Sequence, residues 1–297
     1  MEYKLKPGTI NELLVVFSPI NIPKGKYGFS RYLKTDSRYV LFFNCQNTWY
    51  VDCIDEMYDV VRSTIEDLNP EGVVFYGASM GGYAAMRIGG LFPQHPSFIF
   101  GSEISLYMPG SLSQKHATIK QEGVNIVNHK NLDLSNTVAL FGVYEPVDLI
   151  QYKLSLNLEF HSTIPVRSPH AVHEELYYRN LIAPLTNSRT CDEFVQNIPE
   201  NFYDQDTPLE HADFFYALFF SNHFESNEND IGILKKIEHP SSYWILLRHL
   251  YYTKNEVLFN FVSTNLVDYF NEKSNGFSMP VKFSKQLNLV KSKISQD

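Results

Sequence analysis

Residues 73–90, VVFYGASMGGYAAMRIGG, hold the side chains whose types and spacing offer chemistry. Gly77-Ala78-Ser79-Met80-Gly81 is a Gly-x-Ser-x-Gly pattern, with a strand-like run (73–76) before it and a small-residue helical run after it. On a sharp strand-to-helix turn such a serine projects its hydroxyl from the tip of the strand. The flanking glycines remove Cβ atoms that would otherwise collide. The helix that follows aims backbone N–H groups at the place where negative charge develops when a hydroxyl attacks a carbonyl. The plainer reading is a serine that caps a helix behind a tight turn. A serine hydroxyl is a poor nucleophile at neutral pH unless a base takes its proton and an acid orients that base, so Ser79 calls for a histidine and a carboxylate from elsewhere in the chain.

Such partners must be positioned by a rigid frame. The first 186 residues alternate short apolar runs (13–20, 39–45, 72–76, 97–105, 137–143 and 159–166) with helical patterns (51–68, 80–91 and 173–185). This alternation predicts an α/β fold, a mostly parallel sheet with helices on both faces. After residue 187 glycine nearly vanishes and aromatics crowd together (DFFYALFFSNHF, then SYWILLRHLYYTKNEVLFNFVSTNLVDYF), which predicts a C-terminal helical region. The expected organisation is therefore a catalytic domain over 1–186 and a helical domain or cap over 187–297.

YGASMGGYAA, the N-terminal strand ending in Phe17-Ser18, and Asn47-Thr48-Trp49-Tyr50 after the second strand carry a resemblance. Over roughly residues 10–186 the chain resembles the α/β-hydrolase superfamily. More narrowly it resembles serine-hydrolase-like proteins found with bacterial surface-glycan biosynthesis. The resemblance implies the chain order Ser, then Asp or Glu, then His. His170 lies in the loop Arg167-Ser168-Pro169-His170-Ala171 after the last predicted strand, with a helix beginning beyond it, and SPHAVHEELYYRNLI is similar to the superfamily's catalytic-histidine segment. His173, one helical turn on, is its rival. A zinc site on His170-x-x-His173 lacks both a further ligand and the His-Glu-x-x-His spacing, so no metal is expected. Two carboxylates compete for the acid. Glu145 stands where the superfamily's Gly-x-x-Asp turn places it, counting from Gly142, and Asp148 matches an aspartate of the narrower resemblance. The other of the two would then favour the N-terminus of a helix starting at Pro146. For the oxyanion hole the resemblance implies the N–H of Met80 and one from the loop Ser18-Pro19-Ile20-Asn21. Pro19 has no N–H to give, which leaves Ile20 as the choice.

These expectations describe an acyl-transfer enzyme, an esterase or deacetylase if water accepts the acyl group and an O-acyltransferase if a sugar hydroxyl does. The substrate is then a small-molecule or glycan acyl ester, and Trp49, Tyr50, Trp244, Tyr251 and Tyr252 are candidate sugar-stacking surfaces. The alternative is a non-catalytic binding or assembly protein that keeps the fold.

Composition bounds the rest. The chain has 297 residues, 44% hydrophobic and 20% charged, with a net charge of −8, which is globular chemistry and argues against a nucleic-acid partner. No Gly-rich phosphate loop appears and no cofactor is expected. Three scattered cysteines (Cys45, Cys53, Cys191) suggest a reducing, cytoplasmic setting rather than a disulfide framework. The N-terminal apolar stretch is short, contains Pro19 and lacks a small-residue cleavage site, unlike a secretory signal. The tail 281–297 sets Lys282, Lys285, Lys291 and Lys293 among apolar residues, which reads either as a solvated helix or as a weak membrane-surface contact. Oligomeric state leaves no mark in the sequence.

Overall fold

The computed structural model describes residues 1–126, 132–205, 209, 211–213, 215–216, 246–247, 250, 256–272 and 281–295. The chain forms two compact units, Met1–Val143 with Gln151–Asp206, and Tyr144–Ile150 with Thr207–Asp297.

The first unit is built on a seven-stranded sheet: β1 (Glu2–Lys6), β2 (Ile10–Phe17), β3 (Arg38–Asn44), β4 (Gly72–Ala78), β5 (Ser97–Phe100), β6 (Thr137–Gly142) and β7 (Ser162–Val166). Their order across the sheet is β1-β3-β2-β4-β5-β6-β7, with only the β1 edge antiparallel. Because the buried stretches of the central strands are apolar at successive positions, side chains of alternating direction feed two cores. Leu13, Val15 and Phe17 of β2 enter one layer, and Leu14 and Val16 the other. The first layer is closed by α1 (Ile54–Leu68), through Met57 and Val61, and by α2 (Met80–Gly89). The second is closed by α5 (Val172–Tyr178), α6 (Ile182–Thr186) and α7 (Cys191–Gln196). Cys191, Phe194, Ile198 and Phe202, beyond the point where the composition changes, are buried in that second layer. A short α3 (Leu112–His116) lies in the excursion between β5 and β6, and α4 (Pro146–Ser155) runs across the division between the units. The sheet order, the mostly parallel pairing and helices on both faces make the fold α/β-hydrolase-like.

Three local differences from the sequence reading have physical causes. The run 97–105 is a strand only to Phe100, because Gly101 turns the chain away at φ 53. The helix expected over 173–185 is two helices. Asn180 breaks it with φ 57, and Pro184 has no N–H to give the carbonyl four residues back. The antiparallel strand β1 went unread, since its only sheet partner is β3 and its outer side chains face solvent.

In the second unit, α8 (Glu256–Glu272) buries Leu258, Phe259, Val262 and Leu266, and α9 (Val281–Ile294) buries Phe283 and Val290. Trp244, Tyr251 and Tyr252 lie outside the described residues. Among the described residues no helix is long and apolar enough to cross a membrane.

Candidate active site

Ser79 sits between the end of β4 and the start of α2 with φ 53 and ψ −123, a backbone conformation that side-chain-bearing residues rarely hold. Its surroundings over-determine it. The Ser79 N–H donates to the Phe100 carbonyl of β5 at 2.8 Å, and its own carbonyl accepts from Gly82 at 3.0 Å and Tyr83 at 3.3 Å. The glycines are sterically required. A Cβ on Gly77 would lie 2.1 Å from the Gly81 carbonyl oxygen, and one on Gly81 would lie 2.1 Å from the Phe17 carbonyl oxygen. A Cβ on Gly82 would meet the Ser102 Cβ at 2.8 Å. The elbow is thus pressed against the ends of both neighbouring strands, β2 and β5.

His170 lies in the loop between β7 and α5, and its Nε2 is 2.9 Å from the Ser79 Oγ. That loop is tied down on both sides. The Arg167 N–H donates to the Phe202 carbonyl at 3.0 Å, and the Ser168 N–H to the Val166 carbonyl at 2.8 Å. Gly142, at the end of β6, packs so tightly on it that a Cβ would fall 2.2 Å from the Pro169 carbonyl oxygen. The chain therefore leaves β6 directly beside the histidine loop.

His173 goes elsewhere. Its ring is buried among Phe29 (centroids 4.3 Å apart), Tyr76 (5.7 Å), Tyr32 (5.8 Å) and Phe100 (6.0 Å). Burial pushes its pKa down to about 3, so the ring is neutral at ordinary pH. His161, immediately before β7, pairs instead with Asp192 at 3.1 Å.

Asp148 and Glu145 both lie in Tyr144–Ile150, which belongs to the second unit. α4 starts at Pro146 as expected, with Asp148 in its first turn, and the Glu145 carbonyl accepts the Leu149 N–H at 3.0 Å. Asp148 is 1% exposed and Glu145 half-buried, and each has interaction partners.

In the loop after β2 the backbone donors can be counted. Ser18 N–H goes to the Phe43 carbonyl at 3.0 Å, Pro19 has none, and Asn21 N–H goes to the Asn47 Oδ1 at 2.8 Å. Among the described residues the Ile20 and Met80 N–H groups have no acceptor.

Trp49 and Tyr50 are fully buried, which overturns their reading as sugar-stacking surfaces: neither ring has a face to offer. The sequence also gave no hint of Gln151. Its buried amide accepts from the Ile104 and Ser105 N–H groups (2.7 and 2.8 Å) and donates to the Ser105 carbonyl, holding the excursion after β5. Glu103, also buried there, accepts from the Ser113 N–H at 2.9 Å.

No protein-family model and no curated protein sequence matches the chain. Among solved structures, it is similar to the capsule O-acetyltransferase of Neisseria meningitidis serogroup A, with 16% identity, a TM-score of 0.47, and coverage of 61% of this chain and 90% of that one. It is similar to a monoacylglycerol lipase of Paleococcus ferrophilus (14%, TM-score 0.41, covering 62% and 98%). A chain of the Glycosylation Associate Protein (Gap123) complex from Streptococcus agalactiae also matches (15%, TM-score 0.42), with 63% of this chain covering 44% of that one.

Proposed function

We propose that the protein is a serine-dependent acyl-transfer enzyme with Ser79 as nucleophile and His170 as general base. The observation that carries this reading is the 2.9 Å approach of the His170 Nε2 to a serine oxygen held on a left-handed elbow. Neutral His170 takes the Ser79 proton as Oγ attacks the carbonyl carbon of an acyl ester. The oxyanion accepts from the Met80 and Ile20 N–H groups, which have no other acceptor among the described residues. Collapse expels the leaving group, which takes the proton from His170 and leaves an acyl-serine. Water or a sugar hydroxyl then gives its proton to His170 and attacks the acyl carbon, and as the acyl–Oγ bond breaks His170 returns that proton to Ser79. The glycan acceptor rests on the resemblance carried by YGASMGGYAA and Asn47-Thr48-Trp49-Tyr50. We assign the orienting acid to Asp148, whose buried carboxylate is costly unless it is partnered, with Glu145 as the alternative.

The test is labelling by a fluorophosphonate probe together with hydrolysis of a short-chain aryl ester. Wild type is expected to do both, and Ser79→Ala and His170→Ala neither. Asp148→Asn should lower kcat by about 10⁴-fold, as loss of a triad acid does, while Glu145→Gln leaves it within about threefold. A well-folded wild type that is neither labelled nor active refutes the proposal, and the reverse order of the two acid variants reassigns the acid.

A further inference from the structure

The loop that offers Ile20 is fixed from both ends, and the two anchors differ in kind. On the Ser18 side the anchor is buried: its N–H and Oγ both donate to the Phe43 carbonyl (3.0 and 2.6 Å), and its Oγ accepts from the Gly28 N–H at 2.9 Å. On the Asn21 side the anchor is one half-buried side chain. Asn47 accepts the Asn21 N–H at 2.8 Å through Oδ1 and donates through Nδ2 to the Asn21 Oδ1 at 3.1 Å. Both asparagines stand in the left-handed region, φ 63 and φ 65. The Asn47 carbonyl in turn accepts the Thr118 N–H at 3.1 Å, so the loop after β3 is itself tied to the excursion between β5 and β6.

We infer that Asn47 is a positioning residue for the oxyanion hole, its paired amide with Asn21 holding the Ile20 N–H where the tetrahedral oxygen forms. The inference rests on the acyl-transfer reading above. Its physical argument is local. Pro19 fixes its own φ near −65°, and the Ser18 anchor fixes what precedes it. What remains free is rotation of the units on either side of Ile20, which the bond to the Asn21 N–H removes. The same bond occupies the Asn21 N–H, so that among the backbone donors from Ser18 to Asn21 it is the Ile20 N–H that has no acceptor among the described residues. The end of β2 lies against the elbow, the Phe17 and Ser18 carbonyl oxygens falling 2.1 and 2.9 Å from where a Gly81 Cβ would stand, so small rotations of this loop are felt at Ser79.

Asn47→Gly and Asn21→Gly test this, because glycine keeps the left-handed backbone unstrained while removing the amide. Asn47→Gly, which removes both bonds, should lower kcat on a short-chain aryl ester by about 10- to 100-fold, and Asn21→Gly, which keeps its N–H on the Asn47 Oδ1, by about 3- to 10-fold, both with KM unchanged within about twofold, the mark of an interaction made only in the transition state. Affinity for an alkylboronic acid, whose tetrahedral serine adduct puts an oxygen in the hole, should fall by the same factor. The double variant should lose no more than Asn47→Gly alone, since that variant already removes both bonds. Should Asn47→Gly fail to fold, Asn21→Gly still reads the clamp through the loss of its side-chain bond. An active, probe-labelled wild type whose glycine variants keep kcat within about twofold, lose only KM, or lose additively in the double variant overturns this inference and leaves the Ser79 reading standing. A wild type without labelling or turnover removes both.

Discussion

His173 makes the fold's acid stability a readable quantity. Its ring is buried among Phe29, Tyr32, Tyr76 and Phe100, and that burial alone drives its pKa from an ordinary 6.5 to about 3. The folded state therefore refuses a proton that the unfolded chain accepts between pH 6.5 and about 3. The unfolded state binds more protons in that window, so stability rises with pH through it: the full contribution is present above pH 6.5 and is lost as pH falls toward 3. At about 1.4 kcal/mol per pH unit the whole window is worth about 5 kcal/mol, and the step from pH 7 to pH 5 costs about 2 kcal/mol. His173→Phe removes the titration. It adds a packing offset of about 1–3 kcal/mol that is the same at every pH. The assay is urea unfolding at pH 7, 6 and 5, followed by the fluorescence of buried Trp49 in a Trp244→Phe background, so that the first unit alone is read. Wild type should lose about 2 kcal/mol more between pH 7 and pH 5 than the variant does. Equal losses in the two proteins would refute the aromatic burial of a neutral imidazole.

Two further outcomes follow from packing. Gly81→Ala drives a Cβ into the Phe17 backbone and should abolish soluble expression or lower Tm by more than 10 °C, whereas Gly72→Ala, with open space around its Cβ, should leave Tm within about 3 °C. The buried thiols of Cys45 and Cys191, pushed up by desolvation to about 11 and about 12, and Cys53, pushed higher still, should resist an aromatic disulfide reagent in the native protein, and all three should react at once in denaturant.

The frame was legible because the buried stretches of its central strands are apolar at successive positions. Leu13 to Phe17 cannot be a half-exposed strand, and runs of that kind recur at the spacing of a parallel sheet. The elbow was legible for a similar reason: Gly77, Gly81 and Gly82 occupy positions where any Cβ strikes backbone or a neighbouring strand's side chain. What escaped was decided by partners distant in sequence. Nothing in EYKLK announces a strand, since β1 exists by virtue of the free edge of β3. Trp49 and Tyr50 look like exposed aromatics in a polar loop, yet left-handed backbone at Gln46, Asn47, Trp49 and Tyr50 turns them into the core, where the Tyr50 hydroxyl reaches the Ser18 and Phe43 carbonyls. His170 and His173 have nearly the same sequence context. Only the aromatic cage around one and the serine beside the other separate them.

The same long-range partners explain how a strained serine is tolerated at all. A left-handed non-glycine backbone costs about 1–3 kcal/mol and persists only where its neighbours leave no alternative. Here β5 takes the Ser79 N–H, the first turn of α2 takes its carbonyl, and the glycine contacts with β2 and within the elbow itself exclude a relaxed turn of greater width. The constraints from β2 and β5 come from distant parts of the chain, and they meet the elbow at the C-terminal ends of the parallel strands, where the loops after β2, β4 and β7 lie. Strain at Ser79 and order in its surroundings are then one property. The more tightly the neighbouring loops are held, the less the elbow can unwind. Gly142, which touches no reacting atom, bears on the site in the same way, through the Pro169 backbone beside His170.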